Sequence, residues 1–267
     1  MVLKTRVCSA IVIVAVAFSC VFLSEQSRVL LFAFAGLISA YELSRCFEKL
    51  EVYCCAWVMY VYVASQAILS LLHAGVIAYT ACYAAAVYLA LFSGILHKKV
   101  SGTGAMYTLA GLSYPCFLFG LLMMISVSRI WLETLILGAL STWVCDTFAL
   151  FGGLAFGKHK ICPRVSPKKS VEGCISGAVM ATACGAAFHF IPALNVVPIW
   201  VCMLTAFVAS TLGQIGDLAE SLVKRMIGVK DSGNLIPGHG GMLDRCDSLL
   251  FSIPAAYICL FICGIGY

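Results

Sequence analysis

Long apolar blocks alternate with short polar interruptions along this chain, and the blocks are of similar size. Nine segments are long and apolar enough to read as helical spans, at approximately 8–24, 29–44, 53–72, 75–96, 105–127, 131–156, 171–191, 199–221 and 248–267. Crossing the hydrocarbon core takes about 20 apolar residues per helix. The pattern therefore predicts an all-α integral membrane protein of about nine transmembrane helices. The second block is the shortest and reads as half of a tight hairpin with the first. The opening stretch, MVLKTRVCSAIVIVAVAFSCVFLSEQSR, has the basic start and apolar run of a signal peptide, but no small-residue cleavage site follows. It is read as an uncleaved first span. No soluble domain, low-complexity tract or internal repeat breaks the series. Residues 1–267 are read as a single polytopic membrane domain, with N-terminal spans in 1–130 and catalytic spans and loops in 131–267.

Composition agrees. The chain is 62% hydrophobic and 11% charged, against about 45–50% and about 25% in soluble domains. Its mean hydropathy is +1.02. Lysine and arginine are retained on the cytoplasmic side of membrane proteins, which sets the orientation. With the N-terminus inside, the inner segments 1–7, 45–52, 97–104, 157–170 and 222–247 carry fifteen of the seventeen basic residues. The outer side keeps only Arg28 and Arg129. This puts the N-terminus in the cytoplasm and the C-terminus outside. The fifteen cysteines are scattered through apolar segments without zinc-like CxxC pairs, and are read as small hydrophobes. Nothing in the pattern points to nucleic acid.

Two inner loops hold the candidate chemistry. GKHKICPRVSPKKSVEG, residues 157–173, is strongly basic. Such a cluster beside a membrane can signal topology alone or contact anionic headgroups. Within it, Ser166-Pro167-Lys168-Lys169 restrains two cations next to a proline, which suits a phosphate ligand. The second loop lies between two acidic patches of one form, D-x-x-[DE]-S. The first is Asp217, Glu220 and Ser221, closing a span; the second is Asp244, Asp247 and Ser248, opening the next. On a helix these positions share a face. Carboxylates at a membrane boundary are costly and mark functional sites by default. Without His or Cys partners they are hard oxygen ligands suited to Mg²⁺. The alternative is a structural salt-bridge knot with Arg225 and Arg245, and Asp146 fits either arrangement. Glu42 and Glu133 read as span-end residues. Between the patches, Gly238, Gly240 and Gly241 surround His239 in a turn that lets backbone amides face phosphate oxygens. Cations, carboxylates and a glycine turn on one membrane face together suit phosphoryl or nucleotidyl transfer.

The 27 residues Ser221-x-Val223-Lys224-Arg225-x4-Lys230-Asp231-x-Gly233-x2-Ile236-Pro237-x-His239-Gly240-Gly241-Met242-x-Asp244-Arg245-x-Asp247 closely resemble the signature of phosphatidate cytidylyltransferases, also called CDP-diacylglycerol synthases. SPKKSVEG, and Asp146 ahead of FGKHK, extend the resemblance through the C-terminal half; the N-terminal half shares only its spans. Cys246, Leu150, Leu154 and Val171 depart from the family's usual residues, while the carboxylates and paired lysines are intact. The resemblance implies that CTP and phosphatidate give CDP-diacylglycerol and pyrophosphate in phospholipid biosynthesis. It implies Mg²⁺, with K⁺ as a second cation, and a homodimer. The compact chain fits a bacterial inner membrane, and the distribution of basic residues puts the site on its cytoplasmic side. Asp217 and Asp244 are the implied metal ligands, joined by Asp146 and Asp247. Lys168, Lys169, Lys224 and Asp231 complete the implied catalytic set. Ser166, Arg225, Lys230, His239, Gly240, Gly241 and Arg245 are the implied substrate-binding residues.

Two other readings share parts of this pattern. A CTP-using lipid kinase would need the same membrane site and metal but a hydroxyl acceptor. A transporter could use Asp146 and Asp217 as ion sites, although transporters place such groups near the midplane, whereas charge here collects at one boundary. A membrane scaffold has no need for repeated aspartates.

Overall fold

The structure, a computed structural model, describes residues 15–96, 100–233 and 240–266. Its helices are α1 (Glu25–Glu48), α2 (Ala56–Leu71), α3 (Val76–Leu96), α4 (Gly102–Gly111), α5 (Phe117–Ser126), α6 (Trp131–Phe156), α7 (Val171–Phe188), α8 (Ile199–Ile227), α9 (Leu243–Cys246) and α10 (Leu249–Ile262). A short hairpin, β1 (Lys160–Cys162) and β2 (Ser166–Ser170), separates α6 from α7. Two compact units result, Met1–Val127 with Met226–Arg245, and Ser128–Arg225 with Cys246–Tyr267.

In the first unit a capping box sets the start of α1. Ser24 Oγ accepts the Ser27 N–H at 3.1 Å, and the Ser24 N–H donates to Ser27 Oγ at 3.0 Å. This starts the helix earlier than its apolar run, and the polar turn Glu42–Glu48 extends it. The second apolar block is therefore a full 24-residue helix; the short one is α2, with 16 residues. Between α4 and α5, Tyr114 leaves helical geometry (φ −142°, ψ 116°) ahead of Pro115, as expected where a proline ring crowds the preceding residue out of the α region. The two helices still form one kinked apolar stretch, Gly102–Ser126. Val29, Met59, Tyr62, Leu112 and Met123 fill the core between α1, α2 and the kinked pair. Arg28 is buried, with Nε donating to Ser126 O at 3.1 Å and Nη1 to Val21 O at 3.3 Å.

In the second unit, Leu137, Leu194, Val201, Cys202 and Leu260 form the core. The basic loop 157–170 is not irregular: β1 and β2 pair antiparallel, Lys160 opposite Ser170 and Cys162 opposite Ser166, around a turn closed by Val165 N–H to Cys162 O at 3.0 Å. Ser170 then caps α7, its hydroxyl accepting the Gly173 N–H at 3.2 Å. The fold class thus corrects to nearly all helical with one small hairpin.

Seven helical stretches among the described residues are long and apolar enough to cross a membrane. Of the nine expected spans, the third corresponds to α2, which is too short by that measure; of the first, residues 15–23 are helical and 8–14 lie outside the described residues.

Candidate active site

Three carboxylates of the second unit come from three different helical stretches. Asp146 is on α6, Asp217 on α8, and Asp247 precedes α10. Gly216 makes the last two neighbours: a Cβ there would stand 2.7 Å from Asp247 O and 2.6 Å from a ring carbon of Phe251. Only a residue without a side chain lets α8 lie this close to the start of α10. Gln214, one turn before Asp217, donates its amide to Cys174 O at 3.3 Å and Cys145 Sγ at 3.0 Å, tying α8 to α7 and α6. Lys169 reaches in from β2, its Nζ 2.5 Å from Asp217 Oδ2. The charges of Asp217 and Lys169 both act on Asp146 and on Asp247, and Lys224 acts on Asp247 as well. Ser221 Oγ donates to Asp217 Oδ1 at 3.4 Å.

The hairpin separates the paired lysines. Successive side chains of a strand point to opposite faces; Lys169 is half-buried against Asp217 while Lys168 is exposed. Ser166 begins the strand, half-buried. Arg225 Nε donates to Val165 O at 3.3 Å, bracing the hairpin from α8. Glu172 anchors its entry, accepting the Lys158 and His159 N–H groups at 3.2 Å and meeting His159 Nδ1 at 2.6 Å. In the first acidic patch the two acids have different partners: Glu220 is buried and pairs with Lys224 along the helix, not with Lys169.

The rest of the signature belongs to the first unit. Asp244 Oδ2 accepts from Ser232 N–H at 2.9 Å, Ser232 Oγ at 3.0 Å and Gly241 N–H at 2.9 Å. Gly240 has φ +85°, a left-handed turn conformation that favours glycine. Lys230, Asp231 and Arg245 are exposed, and His239 lies outside the described residues. Of the four departures, Leu150 and Leu154 follow Asp146 at four-residue steps on one exposed face of α6. Val171 begins α7, and Cys246 ends α9.

A model of the cytidylyltransferase family matches residues 4–263. The chain belongs to the cytidylyltransferase family. Among its relatives, a phosphatidate cytidylyltransferase of Bacillus subtilis is 46% identical over 118 residues, 44% of each chain. Proteins of the same name from Staphylococcus haemolyticus and Thermotoga maritima are each 44% identical, over 121 and 122 residues. These matches cover 45% and 44% of this chain, and 46% and 45% of the relatives. The chain thus matches less than half the length of each relative.

In this cytidylyltransferase-family chain the donor set suits a hard cation. Asp146, Asp217 and Asp247 offer only carboxylate oxygens, and Lys169 already pairs with one of them, Asp217. Among the described residues no three His, Cys, Asp or Glu side chains are drawn into a ready-made metal cage. Mg²⁺ does not need one, since it is usually held by one or two carboxylates together with substrate phosphates. The sequence pattern missed two contributors. Gln214 passes for a polar residue in an apolar helix, and Glu42 for a span end; Glu42 is in fact buried and bonded to the signature loop. A charged residue six positions inside the end of its helix was the available signal.

Proposed function

We propose that this chain is a phosphatidate cytidylyltransferase, joining CTP to phosphatidate to form CDP-diacylglycerol and pyrophosphate. The observation that carries the reading is the Lys169–Asp217 pair, set among Asp146 and Asp247 on apolar helices. A compensated carboxylate cluster of this kind is costly in a membrane protein and marks a functional site. Family membership and the names of the relatives support the same activity.

An oxygen of the phosphatidate phosphate attacks the α-phosphorus of CTP. A new P–O bond forms, the bond from the α-phosphorus to the bridging oxygen breaks, and pyrophosphate leaves with that electron pair. The acceptor is already anionic, so no Ser or Cys nucleophile is required. Asp217, with Asp146 and Asp247, would hold Mg²⁺; Asp244 joins this set on the strength of the signature alone. When bound, Mg²⁺ supplies neutralising charge to the phosphates. Lys169 and Lys168 hold phosphate oxygens, and Ser166 donates a hydroxyl. Lys224 balances Asp247 and Glu220. Arg225, Lys230, Asp231, His239, Gly240, Gly241 and Arg245 are assigned to the triphosphate or lipid phosphate by the signature. K⁺ as second cation and a homodimer rest on the same resemblance.

The site faces the cytoplasm from an inner bacterial membrane, with nine spans, the N-terminus inside and the C-terminus outside. The basic residues of the inner segments support this orientation. CTP labelled at the α-phosphate, supplied with phosphatidate and Mg²⁺, tests the activity. The expected outcome is label in chloroform-soluble lipid; label that stays aqueous as CDP indicates a kinase, and uptake into proteoliposomes without CTP turnover indicates a transporter.

A further inference from the structure

Glu42 lies on α1, 200 residues before Met242. It is 4% exposed. A buried carboxylate is tolerated only where its oxygens are hydrogen-bonded or paired. Oε1 of Glu42 accepts the Met242 N–H at 3.0 Å and Oε2 accepts the Leu243 N–H at 3.1 Å. The Ser232 hydroxyl stands between two carboxylates, 3.3 Å from Glu42 Oε2 and 3.0 Å from Asp244 Oδ2.

These donors sit at the two ends of the signature loop, and two of them open α9 just before Asp244. The loop also leaves room for the carboxylate. A Cβ on Gly233 would stand 2.5 Å from Glu42 Oε1, and one on Gly241 2.6 Å from Oε2. The Cys46 thiol, one turn further along α1, donates to Ser232 O at 3.2 Å. Helix α1 thus grips the loop at both ends.

We infer that Glu42 is a positioning residue: it clamps Ser232, Met242 and Leu243 to α1 and thereby fixes Asp244 and Arg245, without touching substrate. This rests on the reading of that loop as part of the CTP and phosphatidate site. Glutamine at position 42 would keep the shape but turn one acceptor into an NH₂ donor facing backbone N–H groups. Aspartate would keep the charge and withdraw it by one methylene. A clamp fails with either, whereas a simple need for negative charge is met by aspartate.

The test uses the full chain in detergent, with Glu42→Gln, Glu42→Asp and Ser232→Ala, measuring amide hydrogen exchange and CTP turnover per folded molecule. In both Glu42 variants, exchange of Met242 and Leu243 is expected to rise about tenfold or more, the equivalent of a lost hydrogen bond to a charged group. Exchange in α2 and α6 stays at its original rate, and turnover falls about tenfold. Ser232→Ala, the smaller change, gives a rise of about threefold and serves if the Glu42 variants do not insert. Unchanged loop exchange in Glu42→Gln overturns the clamp, as does a Glu42→Asp variant with normal exchange and turnover. A lower melting temperature alone, with normal loop exchange and turnover in the folded fraction, also overturns it. If the unaltered chain turns over no CTP while the variants still loosen the loop, the clamp stands and the catalytic reading falls.

Discussion

Lys169 and Lys168 are adjacent in the chain yet do different work, because a strand turns them to opposite sides. Lys169→Ala removes the cation that balances Asp217 and leaves three carboxylates to repel one another. Its kcat/KM for CTP is expected to fall about 10²–10³-fold, the scale for losing a preorganised charge at a transferring group. Lys168→Ala, on the exposed face, is expected to cost about tenfold or less, as for a solvent-screened charge. Equal losses in a turnover assay on matched amounts of inserted protein would contradict the division. Asp244→Asn leaves one carbonyl oxygen that can still accept the three donors now on Oδ2, but it removes a charge from the signature. Turnover is expected to drop by at least about 10²-fold with insertion unchanged; near-normal turnover removes Asp244 from the metal set. At this scale the sequence is informative for Asp146, Asp217 and Asp247, since acids in apolar helices advertise their cost. Glu42 obeys the same rule. It is concealed by the polar residues that follow it, which make position 42 resemble a helix end until the Ser24 capping box and the turn through Glu48 are seen.

Among the elements, α8 and α10 depend on Gly216. A methyl group there meets the Asp247 carbonyl, part of the main chain, so the helices must separate instead of a side chain swinging aside. Gly216→Ala is expected to destabilise the protein by about 1–3 kcal/mol, the usual cost of overpacking. It should reduce CTP turnover more than its lower melting temperature accounts for, because Asp217 and Asp247 move apart. Unaltered turnover would show that their spacing is not critical. The apolar blocks mark nearly every helix, since a bilayer demands continuous runs. The β1–β2 hairpin is not marked in this way: three strand residues paired with five, broken by a bulge, are too short to show a two-residue period through prolines and lysines. Nor does spacing reveal that residues 232 and 242 meet position 42, since contacts so distant in the chain have no local pattern.

For the whole molecule, orientation is the property most open to test. Arg28 counts as an outer charge in the sequence, but its guanidinium is buried on the carbonyls of Val21 and Ser126. It is a packing group more than a loop charge, which leaves Arg129 as the only outer cation in the expected topology. A reporter fused to the C-terminus is expected to read extracytoplasmic, and a cytoplasmic signal would refute an odd number of spans. The two units interleave along the chain, because Met226–Arg245 returns to the helices before residue 128. This return has a consequence for biosynthesis. Glu42 leaves the ribosome 200 residues ahead of Met242, a wait of roughly 10–40 s at about 5–20 residues per second. Throughout that interval its carboxylate must stay hydrated or be held by another partner. The N-terminal bundle therefore cannot mature in the order in which it is made, and a nascent chain stalled before Met242 would present an unfinished first unit to the cell's quality control.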